Sequence, residues 1–326
     1  MKAVVCKAWG LPDTLRVEEM PELTPGKGEV AVDVHAAGVN FPDVLIIQNK
    51  YQFKPALPFT PGSELAGVVR AVGEGVTRFG RGDRVTGFTG HGAFAQQIVV
   101  PEQALMKMPD DMDFDTAAAM TLTYGTSHHA VVDRAQLKAG ETLLVLGAAG
   151  GVGLAAIEIG KAVGARVIAC ASSDEKLAVC TAHGADAIVN YSTQDLREAI
   201  KAATGGRGPD VVYDPVGGAY AEPAFRSIAW RGRYLIIGFA SGEIPKLPLN
   251  LPLLKGASLI GVFWGDFAKR EPEMSIAAMR QLMDWREADK IKPHISARYP
   301  LADTPKALDD MMARKVTGKV VIQTRK

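Results

Sequence analysis

The stretch Thr142–Gly153, TLLVLGAAGGVG, constrains the fold more than any other part of the chain. An apolar run of strand type meets a cluster of glycines, and a helix-like segment, GVGLAAIEIGKAV, follows at once. Ala148, Gly150 and Gly153 repeat the A-x-G-x-x-G variant of the dinucleotide turn. In such a turn one glycine lets a diphosphate approach the backbone, and another lets the helix pack on the strand. The helix N-terminus then offers N–H groups and partial positive charge to the phosphates. A tight strand–helix turn that binds nothing is the bland alternative, and context separates the two.

The context is a βα series. ARVIACA and DEKLAVCTAHG, DAIVN and TQDLREAIKAAT, DVVYD and AYAEPAFRSIA read as strand–helix pairs, followed by strands GRYLIIG and SLIGVFW. Alternation over ~130 residues predicts a parallel sheet covered on both faces. Ahead of it, EVAVDVHAAGV, ELAGVVRAVGEGVTRFGRGDRV and GAFAQQIVV are short strands punctuated by glycine, as in a twisted, barrel-like β domain. DTAAAMTLTYGTSHHAVVDRA reads as helix, with Asp115 or Thr116 as its N-cap. The tail holds two helical stretches and a final strand, KVVIQT. The expected layout is a dinucleotide-binding domain, residues 125–265, inserted into a β domain built from 1–124 and 266–326.

With 326 residues, 47% hydrophobic content and a net charge of +1, the chain suits a two-domain globular protein. The charge gives no reason to expect nucleic acid or an anionic membrane as partner. No apolar run approaches the ~20 residues of a membrane span. Cys6, Cys170 and Cys180 form no CxxC pair, which excludes a cysteine-based structural zinc lobe, and they fit a reduced, cytoplasmic setting.

A ribose-binding acid is expected ~20 residues beyond the glycine turn, at the end of the second strand. Ala171, Ser172 and Ser173 stand there instead, with Lys176 nearby. Hydroxyls and an ammonium suit a 2′-phosphate better than a 2′-hydroxyl, which favours NADPH over NADH. Ser172 and Glu175 also spell a helix capping box, and Asp174 and Glu175 put negative charge close by.

Together with AAGVNFPDVLI, LPFTPGSELAGVV, GDRV, AAGGVG, GADAIVNY, DPVGG, GRYLIIGFASG and TGKVVI, these residues resemble the medium-chain dehydrogenase/reductase superfamily. Within it the chain is most similar to the zinc-free NADPH:quinone oxidoreductase, zeta-crystallin-like branch. The resemblance covers nearly the whole chain. It implies an α/β fold, a GroES-like β-barrel domain plus a Rossmann doubly wound parallel-sheet domain, with the active site in the cleft between them. It also implies a homodimer or tetramer, commonly joined through the edge of the Rossmann sheet.

Zinc-dependent relatives carry a cysteine where this chain has Asn40, and His-Glu where it has Ser63-Glu64; a third ligand falls near Leu122. Without thiolate or imidazole at these places no tetrahedral catalytic zinc site is assembled. Adjacent histidines on a helix diverge, so His128 and His129 do not share a metal. Ala149, Gly150, Gly151 and Val152 form the diphosphate turn; the resemblance places Lys176 and Tyr191 at the adenosine 2′-phosphate beside Ser172 and Ser173, and Arg314 matches a basic residue that can approach it. The resemblance adds Gly238, Phe239, Phe263 and Trp264, at strand ends, to the cofactor-binding set. Asn40, Tyr51 and Thr126 are the catalytic candidates, Asn40 and Thr126 beside the nicotinamide. Tyr51, Phe239 and Trp264 line the substrate side. Tyr191, Phe239 and Trp264 also read as ordinary packing residues. Asp43 matches an acid of the zinc relatives and has no evident purpose without zinc.

The expected activity is NADPH-dependent hydride transfer to a quinone. Reduction of an enone, enal or enoyl thioester is the alternative; a third is an NADPH-binding protein with little turnover.

Overall fold

The computed structural model describes residues 1–325 and divides into two compact units. The first joins Met1–Leu122 to the C-terminal segment that starts at Ile295; the second is Thr123–His294.

The second unit is built on a parallel six-stranded sheet. Its strands lie in the order Ala187–Asn190, Arg166–Ala171, Thr142–Val145, Val211–Asp214, Arg233–Ile236, Ser258–Gly261. Chain order reverses between the strands Thr142–Val145 and Val211–Asp214. That is the doubly wound arrangement the sequence alternation predicts, and such switch points open a crevice at the strand C-termini. The central strands read as unbroken apolar runs because helices cover both faces: all four residues of Thr142–Val145 and of Val211–Asp214 are buried. Leu144, Ile168, Val212, Phe225 and Tyr234 anchor one core.

The first unit carries a seven-stranded sheet centred on the strand Glu29–Val39, which pairs antiparallel with Glu64–Val72, Gln97–Pro101 and Lys319–Gln323. The last of these comes from the C-terminal tail, so the tail does complete the β domain. Its core includes Val32, Val34, Ile47, Leu65, Leu105 and Ile322.

The sequence expectations are corrected at the unit boundary and at two helix starts. The second unit runs to His294, beyond the boundary at 265. The helices Trp264–Arg270 and Pro272–Glu287 stay with it: His129 stacks on Phe267 and His128 bonds to Gln281. The helical stretch after residue 113 is three pieces, Phe114–Ala118, Thr121–His128 and a π-helical turn His129–Arg134. Its cap is Asp113, not Asp115 or Thr116, because the Asp113 carboxylate accepts the Thr116 N–H at 2.8 Å. The cap of the helix Asp174–Ala182 is Ser173, not Ser172; its hydroxyl oxygen accepts the Lys176 N–H. Among the described residues no helix is long and apolar enough to cross a membrane.

Candidate active site

The glycine turn lies at the C-terminal end of Thr142–Val145, at the switch point. Gly147 takes φ +56°, a left-handed conformation open to glycine, and a Cβ there would strike Val216 at 2.8 Å. Gly150 caps the helix Gly151–Val163. The two motif glycines differ in what demands them. A Cβ on Gly153 would sit 2.5 Å from the carbonyl oxygens of both Gly147 and Ala148, so the fold itself requires glycine there. A Cβ on Gly150 would meet only the Gly147 oxygen, at 3.4 Å. Its open side faces no protein atom, which is the clearance an approaching diphosphate needs. Gly151 and Val152 place the first N–H groups of a 13-residue helix at that opening, while Gly150 N–H bonds back to the Gly147 carbonyl at 3.0 Å.

Beside it, the ends of the strands Arg166–Ala171 and Ala187–Asn190 bring Ser172, Ser173, Lys176 and Tyr191 together. Tyr191 N–H donates to the Ala171 carbonyl at 3.1 Å, and Lys176 Nζ lies 3.4 Å from Ser172 Oγ. The nearest acid is diverted, since Asp174 accepts from Asn190 Nδ2 at 2.8 Å. Tyr191 also packs on Tyr220, ring centroids 4.3 Å apart. Arg314 belongs to the first unit, at φ +55° behind the helix Thr304–Met312.

The third wall is the turn Pro215–Gly218. Asp214, which sequence reasoning left out, holds it. Its Oδ1 accepts from Val216 N–H at 2.8 Å and Gly217 N–H at 2.9 Å, and Tyr234 OH donates to Oδ2 at 2.6 Å. Burial pushes the Asp214 carboxyl up, opposed by these three donors. The signal was the motif DPVGG itself, an acid two residues before N–H groups it can collect as an Asx turn. Gly217 lies against Phe239, where a Cβ would come within 2.9 Å of the ring, and Gly238 N–H points to the Asp214 carbonyl at 3.4 Å. Phe263 is half exposed, whereas Trp264 is buried with its indole over Gly125; a Cβ there would be 2.7 Å from it. Half-buried Thr126 follows Gly125 directly, on the helix that Trp264 packs against.

The first unit gathers Asn40, Asp43, Ser63, Glu64 and Lys319 in one buried network. Asn40 caps the helix Phe41–Ile47, its N–H donating to Asp43 Oδ2 at 2.8 Å. Its side chain is used up. Nδ2 donates to Glu64 Oε2 at 3.0 Å and the Gly38 carbonyl at 3.3 Å, and Oδ1 accepts from Lys319 Nζ at 2.6 Å. An amide has two N–H bonds, and both are spent here. Lys319 also reaches Glu64 Oε2 at 3.0 Å and the Val39 carbonyl at 3.2 Å. Glu64 Oε1 accepts from Leu122 N–H at 2.8 Å. Lys319 escaped sequence reasoning because it lies 255 residues from Glu64 and begins an apolar strand, where a lysine reads as solvent-facing.

Ser63 Oγ donates to Asp43 Oδ1 at 3.3 Å, and burial pushes the Asp43 carboxyl up to about 7 against the pull of the Asn40 N–H and the Lys319 charge. Tyr51 packs at the edge of the same core, its phenol raised by burial and by the Asp43 charge. It therefore stays a hydroxyl donor at neutral pH. The positions matching a zinc site hold an amide, a hydroxyl and a carboxylate already paired with an ammonium. That donor set does not fit a tetrahedral zinc ion, and among the described residues no group of three His, Cys, Asp or Glu is placed to hold a metal.

Comparison with known proteins matches residues 26–110 to the alcohol dehydrogenase GroES-like domain and residues 151–284 to the family described as zinc-binding dehydrogenase. The chain is 39% identical to quinone oxidoreductase-like protein 2 of Mus musculus, over 99% of this chain and 92% of the mouse protein. A mycobacterial structure complexed with NADPH aligns at TM-score 0.92 and 33% identity, covering 99% of this chain and all of that one. Escherichia coli quinone oxidoreductase complexed with NADPH aligns at TM-score 0.92 and 28% identity, with 99% and 100% coverage.

Proposed function

We propose that this chain, which belongs to the medium-chain dehydrogenase/reductase superfamily and within it to the quinone oxidoreductase type, reduces quinones with NADPH and without zinc. One observation carries the reading. A glycine turn with an open side stands at the switch point of a parallel sheet, and the ribose-acid position beside it holds Ser172, Ser173 and Lys176. The relatives solved with NADPH support the same cofactor.

Bound NADPH supplies the hydride. The protein binds and orients it: Ala149, Gly151 and Val152 take the diphosphate on N–H groups, and Ser172, Ser173, Lys176 and Tyr191 hold the 2′-phosphate. Gly238, Phe239, Phe263, Trp264 and Thr126 border the nicotinamide end. A quinone spreads developing negative charge over its conjugated ring, so it needs less polarisation than a simple ketone, for which a Lewis acid helps most. The Tyr51 hydroxyl is the donor we assign to that charge. Asn40 acts by position, tying the helix Phe41–Ile47 to Lys319 and Glu64.

Tyr51→Phe is expected to lower quinone turnover about tenfold, less than a full oxyanion-hole donor is worth. NADPH affinity should not move; a coupled loss of affinity would make Tyr51 a binding residue. The overall reading is tested by following oxidation of NADPH and NADH in parallel with quinones and with enones, identifying products. NADPH oxidation with quinones is expected. A saturated enone product without quinone turnover would replace the substrate class, and binding without oxidation by any acceptor would leave a binding protein. Stoichiometric zinc in protein purified without added metal would overturn the zinc-free mechanism.

We also assign a homodimer through the sheet edge. The outermost strand, Ser258–Gly261, has a neighbour on one side, and nearby Trp230, Leu249, Leu253 and Leu254 are 68–80% exposed. Unpaired strand edges and exposed leucines of this kind invite a partner. Leu253→Glu with Leu254→Glu should elute as monomer in light-scattering chromatography; an unchanged dimer would move the interface elsewhere. The three free cysteines are all buried, consistent with a cytoplasmic protein.

A further inference from the structure

The helix behind the glycine turn carries one buried acid, Glu158, which the chemistry above does not use. It is 6% exposed, and three donors converge on it. Tyr124 OH reaches Oε2 at 2.6 Å, the Lys292 backbone N–H reaches the same oxygen at 2.9 Å, and His183 Nδ1 lies 2.6 Å from Oε1. Tyr124 is itself buried, and both burial and Glu158 hold its phenol well up, so it remains a donor.

The placement of these donors is not random along the chain. The chain enters the second unit between Leu122 and Thr123 and leaves it between His294 and Ile295. Tyr124 is the second residue after the entry, and Lys292 stands just before the exit. They are separated widely in sequence, yet both hydrogen-bond one carboxylate oxygen on the helix Gly151–Val163. That helix is the element whose N-terminus forms the diphosphate seat. Core helices are close-packed and move as rigid bodies. A shift at the start of this helix is therefore delivered to both crossings at once.

We propose that Glu158 is a positioning residue that ties both chain crossings to the cofactor helix, so that NADPH at the glycine turn orders the two crossings together. The proposal rests on the reading that the dinucleotide sits on Ala149–Val152. His183 completes the site by orienting the carboxylate from its other oxygen, with His294 packed edge-on at 5.4 Å.

The geometry gives a discriminating set of variants. Glu158→Gln keeps the device: its amide oxygen can accept from both Tyr124 and Lys292, which share one oxygen, and its Nε2 can donate to His183 as neutral imidazole. Glu158→Leu has similar volume and no acceptor. Tyr124→Phe cuts the entry crossing alone and leaves Lys292 bonded.

The measurement is hydrogen exchange of segments 121–126 and 291–296, with and without saturating NADPH, alongside calorimetric titration of NADPH into each variant. In the unaltered protein NADPH should slow exchange in both segments by about tenfold or more, the scale of one retained backbone or side-chain hydrogen bond. Glu158→Gln should retain that response. Glu158→Leu should lose it in both segments while still binding NADPH and still protecting Gly151–Gly153. Tyr124→Phe should lose it in 121–126 only. Should Glu158→Leu fold poorly, Glu158→Gln and Tyr124→Phe decide the matter alone. A full response in Glu158→Leu, or in segment 121–126 of Tyr124→Phe, would overturn the proposal, as would loss of response in Glu158→Gln. Failure of the underlying cofactor reading looks different: NADPH would give no heat with the unaltered protein, or would leave Gly151–Gly153 unprotected. A purely structural brace would lower stability in Glu158→Leu without changing the NADPH response, so the response and not the melting temperature is the readout.

Discussion

Lys319→Met should destabilise the first unit by about 3–5 kcal/mol, the range seen when one partner of a buried ion pair is removed. Lys319 is 3% exposed and Glu64 fully buried, so water cannot replace the lost ammonium. The variant strands more than one acceptor: Glu64 Oε2, Asn40 Oδ1 and the Val39 carbonyl all lose a donor. Hydrogen exchange in the strand Glu29–Val39 reads the loss directly, because Val320–Gln323 pair with that strand. Adding Glu64→Gln to the variant should recover part of the loss by removing the stranded charge. A loss below about 1 kcal/mol would mean that the network contributes no more than an exposed pair does.

The loss should also grow with pH. Asp43 is held at about 7, above its unfolded value of 3.8, by burial. The folded protein thus keeps a proton that the unfolded chain releases, so this group's contribution is fully present below 3.8 and declines as pH rises through 7. Lys319 pulls the Asp43 value down. Without it the value climbs further and the decline continues into more alkaline solution. The gap between the variant and the unaltered protein should therefore be wider at about pH 9 than at about pH 6.

What could be read in advance followed from chemistry that is local in sequence. The glycine turn lies within one strand–helix unit, the ribose-acid position ends the next strand, and the alternation only repeats that unit, so near neighbours in sequence dictate the residue. Gly153 shows this best, since its neighbours Gly147 and Ala148 supply the oxygens that forbid a side chain. Less was legible where partners come from distant segments. Asn40 has the appearance of an exposed turn residue until Glu64 and Lys319 are brought to it, and only then is its amide seen to be spent. The residue 265 boundary failed for a related reason. An amphipathic pattern shows that a helix buries one face but not against which unit, and Phe267 and Gln281 find His129 and His128. Helix caps shifted by one to three residues because neighbouring candidates, such as Asp113, Asp115 and Thr116, compete within one turn. Only geometry shows that Asp113 accepts from Thr116.

Lys176→Ala should weaken NADPH by about 10–100-fold, the value of one or two charge-assisted hydrogen bonds to a phosphate, while NADH changes by less than about threefold. The asymmetry follows from where Lys176 points. Its ammonium lies beside Ser172 Oγ at the end of the second strand, where a ribose-binding acid would otherwise stand. The backbone on either side is fixed independently of that side chain. Ser173 caps the following helix and Tyr191 N–H bonds to Ala171, so the variant should keep its fold and its diphosphate seat. Of the neighbouring acids, Asp174 is hydrogen-bonded to Asn190 and Glu175 to the Ser173 hydroxyl, which holds its carboxyl low. Because the site is open to solvent, the NADPH preference should narrow as salt rises, with a screening length of about 10 Å at 0.1 M. Ser172→Asp makes the converse case: it supplies the missing acid, which should repel the 2′-phosphate and accept from a free ribose hydroxyl, turning preference toward NADH. Calorimetric titration of both cofactors into both variants measures this. Equal losses for NADPH and NADH in Lys176→Ala would place the lysine away from the 2′-phosphate and remove the physical ground for preferring the phosphorylated cofactor.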